Sequence, residues 1–344
     1  MPPRKIVAPS PMISQVSPEA AIPGGELRIR GKGFAKDSRP RVMLGEQSAP
    51  IVVGSDSLVI ARVPDLASGE LTITSGKNTS PAWFCDIGIS LAEGLHPVSS
   101  PAVDSFGQIF TTFSGTRGQR SPVSVYRIDP AEGARPFLSD VMNATALAFD
   151  SNGILYISSR NDGTVYEASP RGEMSIYVEG MGVATGLAFD QNENLYVGDR
   201  SGTIFKISRD RQIYVFATVE PSIAAYHLAF GPEGYLYVTG PTTSSYDCVH
   251  RISREGEVEV FYRGLGRPQG LAFDILGNLY VAASHAGRRG VVRLTPDREA
   301  SLFVSGPGIV GLAFTPTGAM IVSTTNSIYR LEVGIPPQIL PQKP

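Results

Sequence analysis

Short apolar tags recur along most of the chain: ALAFD at residue 146, GLAFD at 186, HLAFG at 227, GLAFD at 270 and GLAFT at 311, each roughly 40 residues after the last. A degenerate copy, PAVD at 101, precedes them. Behind each comes a turn rich in Gly, Asn, Asp or Pro and then a second apolar run: IFTTF, ILYIS, NLYVG, YLYVT, NLYVA or AMIVS. Two such runs around a turn read as a β-hairpin. Third runs, SVYRI, TVYEA, TIFKI, CVHRI, VVRLT and SIYRL, alternate with the period of two of a pleated strand, and fourth runs follow as ARPFL, SIYVE, IYVFA, VEVFY and SLFVS. Four short strands per repeat of this length are the signature of propeller blades; helical solenoids need 3.6-period segments that this chain lacks. The tags are continuously apolar because an innermost strand is covered on both faces by neighbouring blades.

The sixth repeat has three runs and then passes into Gly334, Ile335, Pro336 and Pro337, with more proline beyond. Proline cannot donate to a ladder, so this tail is expected to supply no paired strand. Upstream, ISLAEGLHPVSSPAVD (89–104) parallels VEVFYRGLGRPQGLAFD (258–274), which assigns residues 89–93 as the outer strand of the last blade. The ring is thereby closed by an N-terminal strand.

Ahead of the repeats, PMISQVSPEAAIPGGELRIRGKGF (11–34) carries Val16, Ser17 and Pro18 at a strand end, a turn at Pro23, Gly24 and Gly25, inward Leu27 and Ile29, and a closing Gly31, Gly33 and Phe34. Val42 and Leu44, then Val59, Ala61 and Val63, then Leu71 and Ile73, alternate in further strands. This segment resembles the opening of an IPT/TIG domain, which implies an immunoglobulin-like sandwich used as a spacer or partner module. The expected fold is all-β: a small immunoglobulin-like β-sandwich plus a six-bladed β-propeller closed by an N-terminal strand. The expected division is a tail over 1–9, the sandwich over 10–86, the propeller over 87–334 and a Pro-rich tail over 335–344.

A formal net charge of −2 provides no general attraction to nucleic acid or anionic lipid. Arg28, Arg30, Lys32, Lys36, Arg39 and Arg41 cluster in the front segment, but alternation puts Arg28 and Arg30 on the solvent face of a strand, so no nucleic-acid role is expected. Cys85 and Cys248 lie far apart and read as reduced thiols. No export signal or membrane anchor is visible, giving a cytoplasmic expectation, or an extracellular one if the N-terminus was processed.

GPGIVG (306–311) fits the GxGxxG spacing of dinucleotide sites, yet here one propeller strand feeds another where that site needs a strand, a turn and a helix. Cys248 and His250 alternate on a third strand, and two ligands do not make a zinc site. Phrases such as RPQGLAFDILGNLYVA resemble both NHL repeats and the SMP-30/gluconolactonase family over residues 88–334. The lactonase resemblance implies a divalent cation (Ca, Zn or Mn) held by an early Glu and by Asn or Asp just before the inner-strand glycines. The corresponding positions are Ser100, Thr145, Thr185, Tyr226, Gln269 and Val310, without a carboxylate, and Glu93 is the nearest glutamate, several residues early. No cofactor is therefore expected, and the cation enters only with the lactonase alternative.

Loops entering the inner strands and loops joining second to third strands gather at one mouth, the default ligand site of a propeller. The candidate ligand-binding residues there are Arg117, Arg120, Arg160, Asp199, Arg200, Tyr226, His227, Arg267, Gln269, His285 and Arg288, with Arg289 beside them. The arginines favour an anionic or polar small ligand, or a protein partner. The function expected is a non-catalytic ligand- or protein-binding scaffold. The alternatives are a metal-dependent lactonase with an atypical site and a streptogramin-lyase-like chemistry suggested by GPEGYLYVTG (231–240).

Overall fold

The computed structural model describes residues 10–35, 38–115, 118, 120–243 and 247–338, and every regular element among them is a β-strand. Lys36 and Arg117 lie outside the described residues. The chain folds as two compact units, residues 1–89 with 302–307, and residues 90–301 with 308–344.

The first unit is a sandwich. One sheet is ordered Met12–Ser17, Glu26–Lys32, Leu58–Arg62, Ile51–Gly54; the other is ordered Trp83–Phe84, Glu70–Ser75, Arg41–Leu44, Gln47–Ala49. The alternating apolar positions point inward as expected: Val16, Leu27, Ile29, Phe34, Val42, Leu44, Val59, Ala61, Val63, Leu71 and Ile73 form one buried core. Gly31 is required by close approach, since a Cβ there would stand 2.0 Å from the Met12 carbonyl oxygen and 2.4 Å from the Phe34 ring.

Six antiparallel meanders build the second unit around inner strands Ala102–Val103, Ala144–Phe149, Ala184–Phe189, His227–Phe230, Leu271–Phe273 and Ile309–Phe314. The sixth continues through Met320–Thr324 and Ser327–Leu331 to its outer strand Ile89–Glu93, so the blade is completed from upstream. The tail differs from expectation in one respect. It forms no strand among the described residues, yet Pro337 makes an isolated bridge with Asp274, and Ile275 donates to the Pro336 carbonyl at 3.1 Å. Proline lacks the donor but keeps the acceptor, and the tail docks through it.

Two devices explain the repeated tags. The aspartate closing each FD pair clamps the hairpin to the second strand: Asp190 Oδ1 accepts from the Asn192 and Asn194 amides at 2.8 and 2.9 Å. Asp274 does the same with Leu276 and Asn278, and its Oδ2 also accepts from Asn278 Nδ2 at 2.8 Å and from the Tyr280 hydroxyl at 3.1 Å. These are Asx turns, which is why Asp begins the loop and Gly or Asn follows. Because Asp274 is buried and holds four donors, Asp274→Ala is expected to cost about 2–3 kcal/mol, more than Asp104→Ala, whose exposed site holds two. Paired urea titrations check the order, and equal losses would contradict the clamp.

The second device is aromatic. The ring of each second strand meets the tag phenylalanine of the next blade edge-to-face: Phe110 with Phe149, Tyr156 with Phe189, Tyr196 with Phe230, Tyr237 with Phe273 and Tyr280 with Phe314, at centroid distances of 4.8–5.3 Å. The junction of the sixth blade with the first has Ile321 in this place and is filled by aliphatics, Leu95, Ile109, Ile128, Ile321 and Ile328, with Leu91 and Ala92 of the closing segment against them.

Candidate functional site: the propeller axis and its mouth

Where each chain segment enters an inner strand, the blades are joined by a belt of hydrogen bonds. The Thr112 hydroxyl donates to the Thr145 carbonyl at 3.3 Å, Ser158 to the Thr185 carbonyl, Thr239 to the Gln269 carbonyl and Ser323 to the Ser99 carbonyl at 2.9 Å. The donors occupy the fourth position of the second strand of each blade, and the two blades without a hydroxyl there, at Gly198 and Ala282, close the belt differently. The Tyr226 amide donates to Thr185 Oγ1 at 3.1 Å, and the Gly270 amide to the Val310 carbonyl at 3.0 Å. All six junctions are thereby bonded at one level.

That level contains the positions at which the lactonase resemblance would place metal ligands. Thr145, Thr185, Tyr226 and Val310 are buried, and Thr145 Oγ1 donates to the Asn143 carbonyl at 2.9 Å. The Tyr226 hydroxyl bonds the Glu220 carbonyl. Glu93 sits on the outer strand of the sixth blade and accepts from Ser90 Oγ at 3.2 Å. No cluster of three or more His, Cys, Asp or Glu occurs among the described residues. A hard cation needs several converging oxygens with carboxylate charge, and this donor set does not fit one.

The glycine that opens most tags is explained at the same place. A Cβ on Gly270 would stand 2.4 Å from the Gly311 Cα, and one on Gly311 would stand 2.4 Å from the Ser100 Cα. Inner strands of neighbouring blades pass backbone against backbone here.

A cavity of about 310 Å³ is lined by Ser99, Ser100, tag residues of blades two to six, Tyr226, Pro337 and Gln338. Of the candidate mouth residues, Tyr226 and His227 line it. Burial pushes the His227 imidazole down to about 4, so it is neutral at physiological pH. A base whose folded pKa is depressed contributes stability above its unfolded value near 6.5 and loses it as pH falls through the folded value. The propeller is therefore expected to lose about 3 kcal/mol between pH 6.5 and pH 4 through this group. His227→Asn should flatten that limb in urea titrations, and an unchanged acid slope would refute it.

Among the described residues, the candidates Arg120, Arg160, Asp199, Arg200, Arg267, Gln269, His285 and Arg288 do not line the cavity. Arg160 Nη2 donates to the Gly115 carbonyl at 3.0 Å and Arg200 Nε to the Ser222 carbonyl at 3.4 Å. Asp199 is buried and accepts from the Val183 amide at 2.8 Å. Arg120 makes an exposed pair with Asp140 at 3.5 Å. Arg267 is exposed, and its φ of 50° puts it in a left-handed turn. The fifth blade departs from the loop reading: strands Leu279–His285 and Arg288–Leu294 are joined by Ala286 and Gly287, both at positive φ, so His285, Arg288 and Arg289 lie on strands. Positive φ at both central residues is the tight turn that lets a hairpin extend to its tip.

Cys248 and His250 are neighbours on the third strand of blade four, and burial lowers the His250 pKa and raises that of the Cys248 thiol. Burial of Cys85 in the sandwich pushes its thiol up to about 12.

Residues 11–83 match the family model of the IPT/TIG domain. No curated protein matches the sequence. Among solved structures, a protein assigned by family to the gluconolactonases superposes with a TM-score of 0.62 at 16% identity, over 74% of this chain and 94% of that one. An auxiliary nutrient binding protein from Bacteroides ovatus gives 0.55 at 12% identity, over 94% of this chain and 98% of the other. A catalytically inactive virginiamycin B lyase from Staphylococcus aureus with quinupristin gives 0.52 at 12% identity, over 95% and 96%. At these identities the likeness is one of fold. The chain is an all-β protein with an IPT/TIG sandwich and a propeller scaffold shared by proteins of different activities.

Proposed function

We propose that this protein is a binding module, in which an NHL-like propeller holds a ligand or protein partner and the IPT/TIG domain acts as spacer or second contact. The belt of interblade hydrogen bonds carries the reading. At the positions that would carry metal ligands in a lactonase the main chain takes part in joining blades, and the side chains are Ser, Thr, Tyr, Gln and Val, without a carboxylate. Activation of water by a hard cation needs converging carboxylate charge, and these positions carry no carboxylate.

The purified chain is expected to hydrolyse simple sugar lactones at the background rate, with or without calcium, zinc or manganese. Metal-dependent turnover that disappears in Glu93→Gln or Gln269→Ala would overturn the binding reading in favour of the lactonase.

A further inference from the structure

We propose that the axial cavity is a binding site for a small uncharged molecule with an apolar body of about one or two rings and a single hydrogen-bonding group. This inference rests on the binding-module reading and names the ligand class of one site within it.

Three observations converge. First, no Asp, Glu, Lys or Arg is found among the lining residues. Placing a charge in such surroundings costs several kcal/mol unless it is paired, so the cavity selects against ions. Second, the cavity exists because of a residue type. Each of the five tags has alanine at its third position, Ala148, Ala188, Ala229, Ala272 and Ala313, and all five line the space. Leucine there would fill it. The volume of about 310 Å³ lies at the lower end of the range for small-molecule sites, roughly 300–1,000 Å³.

Third, the polar side chains among the lining residues are those of Ser99, Ser100, Tyr226, His227 and Gln338, and they differ in kind. His227 replaces the glycine or alanine of the other tags and brings an imidazole with one donor and one acceptor to the wall. Gln338, held by its amide to the Phe273 carbonyl at 3.2 Å, has a buried Oε1 without a hydrogen-bond partner. A buried acceptor left unsatisfied is costly, and a ligand donor would satisfy it. A few polar groups on an apolar wall orient a ligand whose body is held by burial.

Calorimetric titration with indole, naphthalene and 1-naphthoate tests the assignment on the full chain. Indole and naphthalene are expected to bind saturably, and naphthoate at least about tenfold more weakly. Ala229→Leu and Ala272→Leu, on different blades, should each weaken indole by about tenfold or more; melting curves identify a variant that does not fold, and the milder Ala313→Val then takes its place. His227→Ala should weaken indole more than naphthalene, because only indole has a hydrogen to share. Absence of saturable binding by both neutral probes overturns the proposal, as does unchanged affinity in folded, cavity-filled variants. Binding that is lost in Arg160→Ala or Arg200→Ala and falls steeply with salt would move the site to the mouth and overturn the cavity while leaving the module reading intact. Metal-dependent lactone turnover would remove the module reading independently of these titrations.

Discussion

Gly311→Ala is expected to destabilise the propeller by about 3 kcal/mol or more, because the added methyl would meet backbone and not a side chain that can move. Its Cβ would lie 2.4 Å from the Ser100 Cα, 2.5 Å from the Ser100 nitrogen and 2.8 Å from the Ser99 carbonyl carbon. Relief requires the first blade to shift away from the sixth. That shift pulls the Ser99 carbonyl from Ser323 and the Ser100 hydroxyl from the Leu312 amide, so one methyl breaks the belt at its closing junction. For a domain of this size the melting temperature should fall by about 6–12 °C. Gly54→Ala is the control, since its nearest neighbours would be at 3.5 and 3.6 Å, ordinary van der Waals distances. Differential scanning calorimetry distinguishes the two. A Gly311→Ala protein that melts with the parent would mean that the inner strands are farther apart than described.

Tyr237→Ala should have a comparable effect by a different route. The ring is buried and stands edge-to-face between Phe261 at 5.0 Å and Phe273 at 4.8 Å, one within its blade and one in the next. Removing it leaves a cavity across a blade junction and forfeits both ring contacts, a loss of about 3–5 kcal/mol. Tyr237→Phe keeps the ring and loses the hydroxyl's bonds to Glu233 and Arg251, and should cost about 1 kcal/mol. Stability measured by chemical denaturation should therefore order the proteins as parent, Phe variant, Ala variant, with the wider gap at the second step. If the Phe variant lost as much as the Ala variant, the hydroxyl network and not the aromatic ladder would hold the junction.

These two expectations concern joints between blades, and the proposed ligand site lies within the channel that the joints define. Scaffold likeness to a lactonase-family protein, a nutrient-binding protein and a lyase is compatible with several chemistries, so the residues at the axis have to decide among them.

Repeat number, strand order within a blade and the upstream origin of the last outer strand were legible in the sequence, because each depends on local pattern: apolar runs of period two, turn residues between them, and tags a fixed distance apart. The sandwich core was legible for the same reason, residue by residue from Val16 to Ile73. The meaning of the small and polar positions was not. Thr112, Ser158, Thr239 and Ser323 read as minor interruptions of apolar strands, and their signal, a hydroxyl at the fourth place of the second strand, gains sense only when the next blade brings a carbonyl to it. The alanines at the third place of the tags read as core and turned out to border a cavity, while Gln338 lay in a tail expected only to end the chain. The mouth arginines were placed by counting loops, and the tertiary structure sets Arg160 and Arg200 against backbone carbonyls and puts Arg288 on a strand. Local patterning determines which strands form, since each strand's two faces are written in its own residues; which groups meet at the axis depends on how neighbouring blades approach, and no single repeat contains that distance.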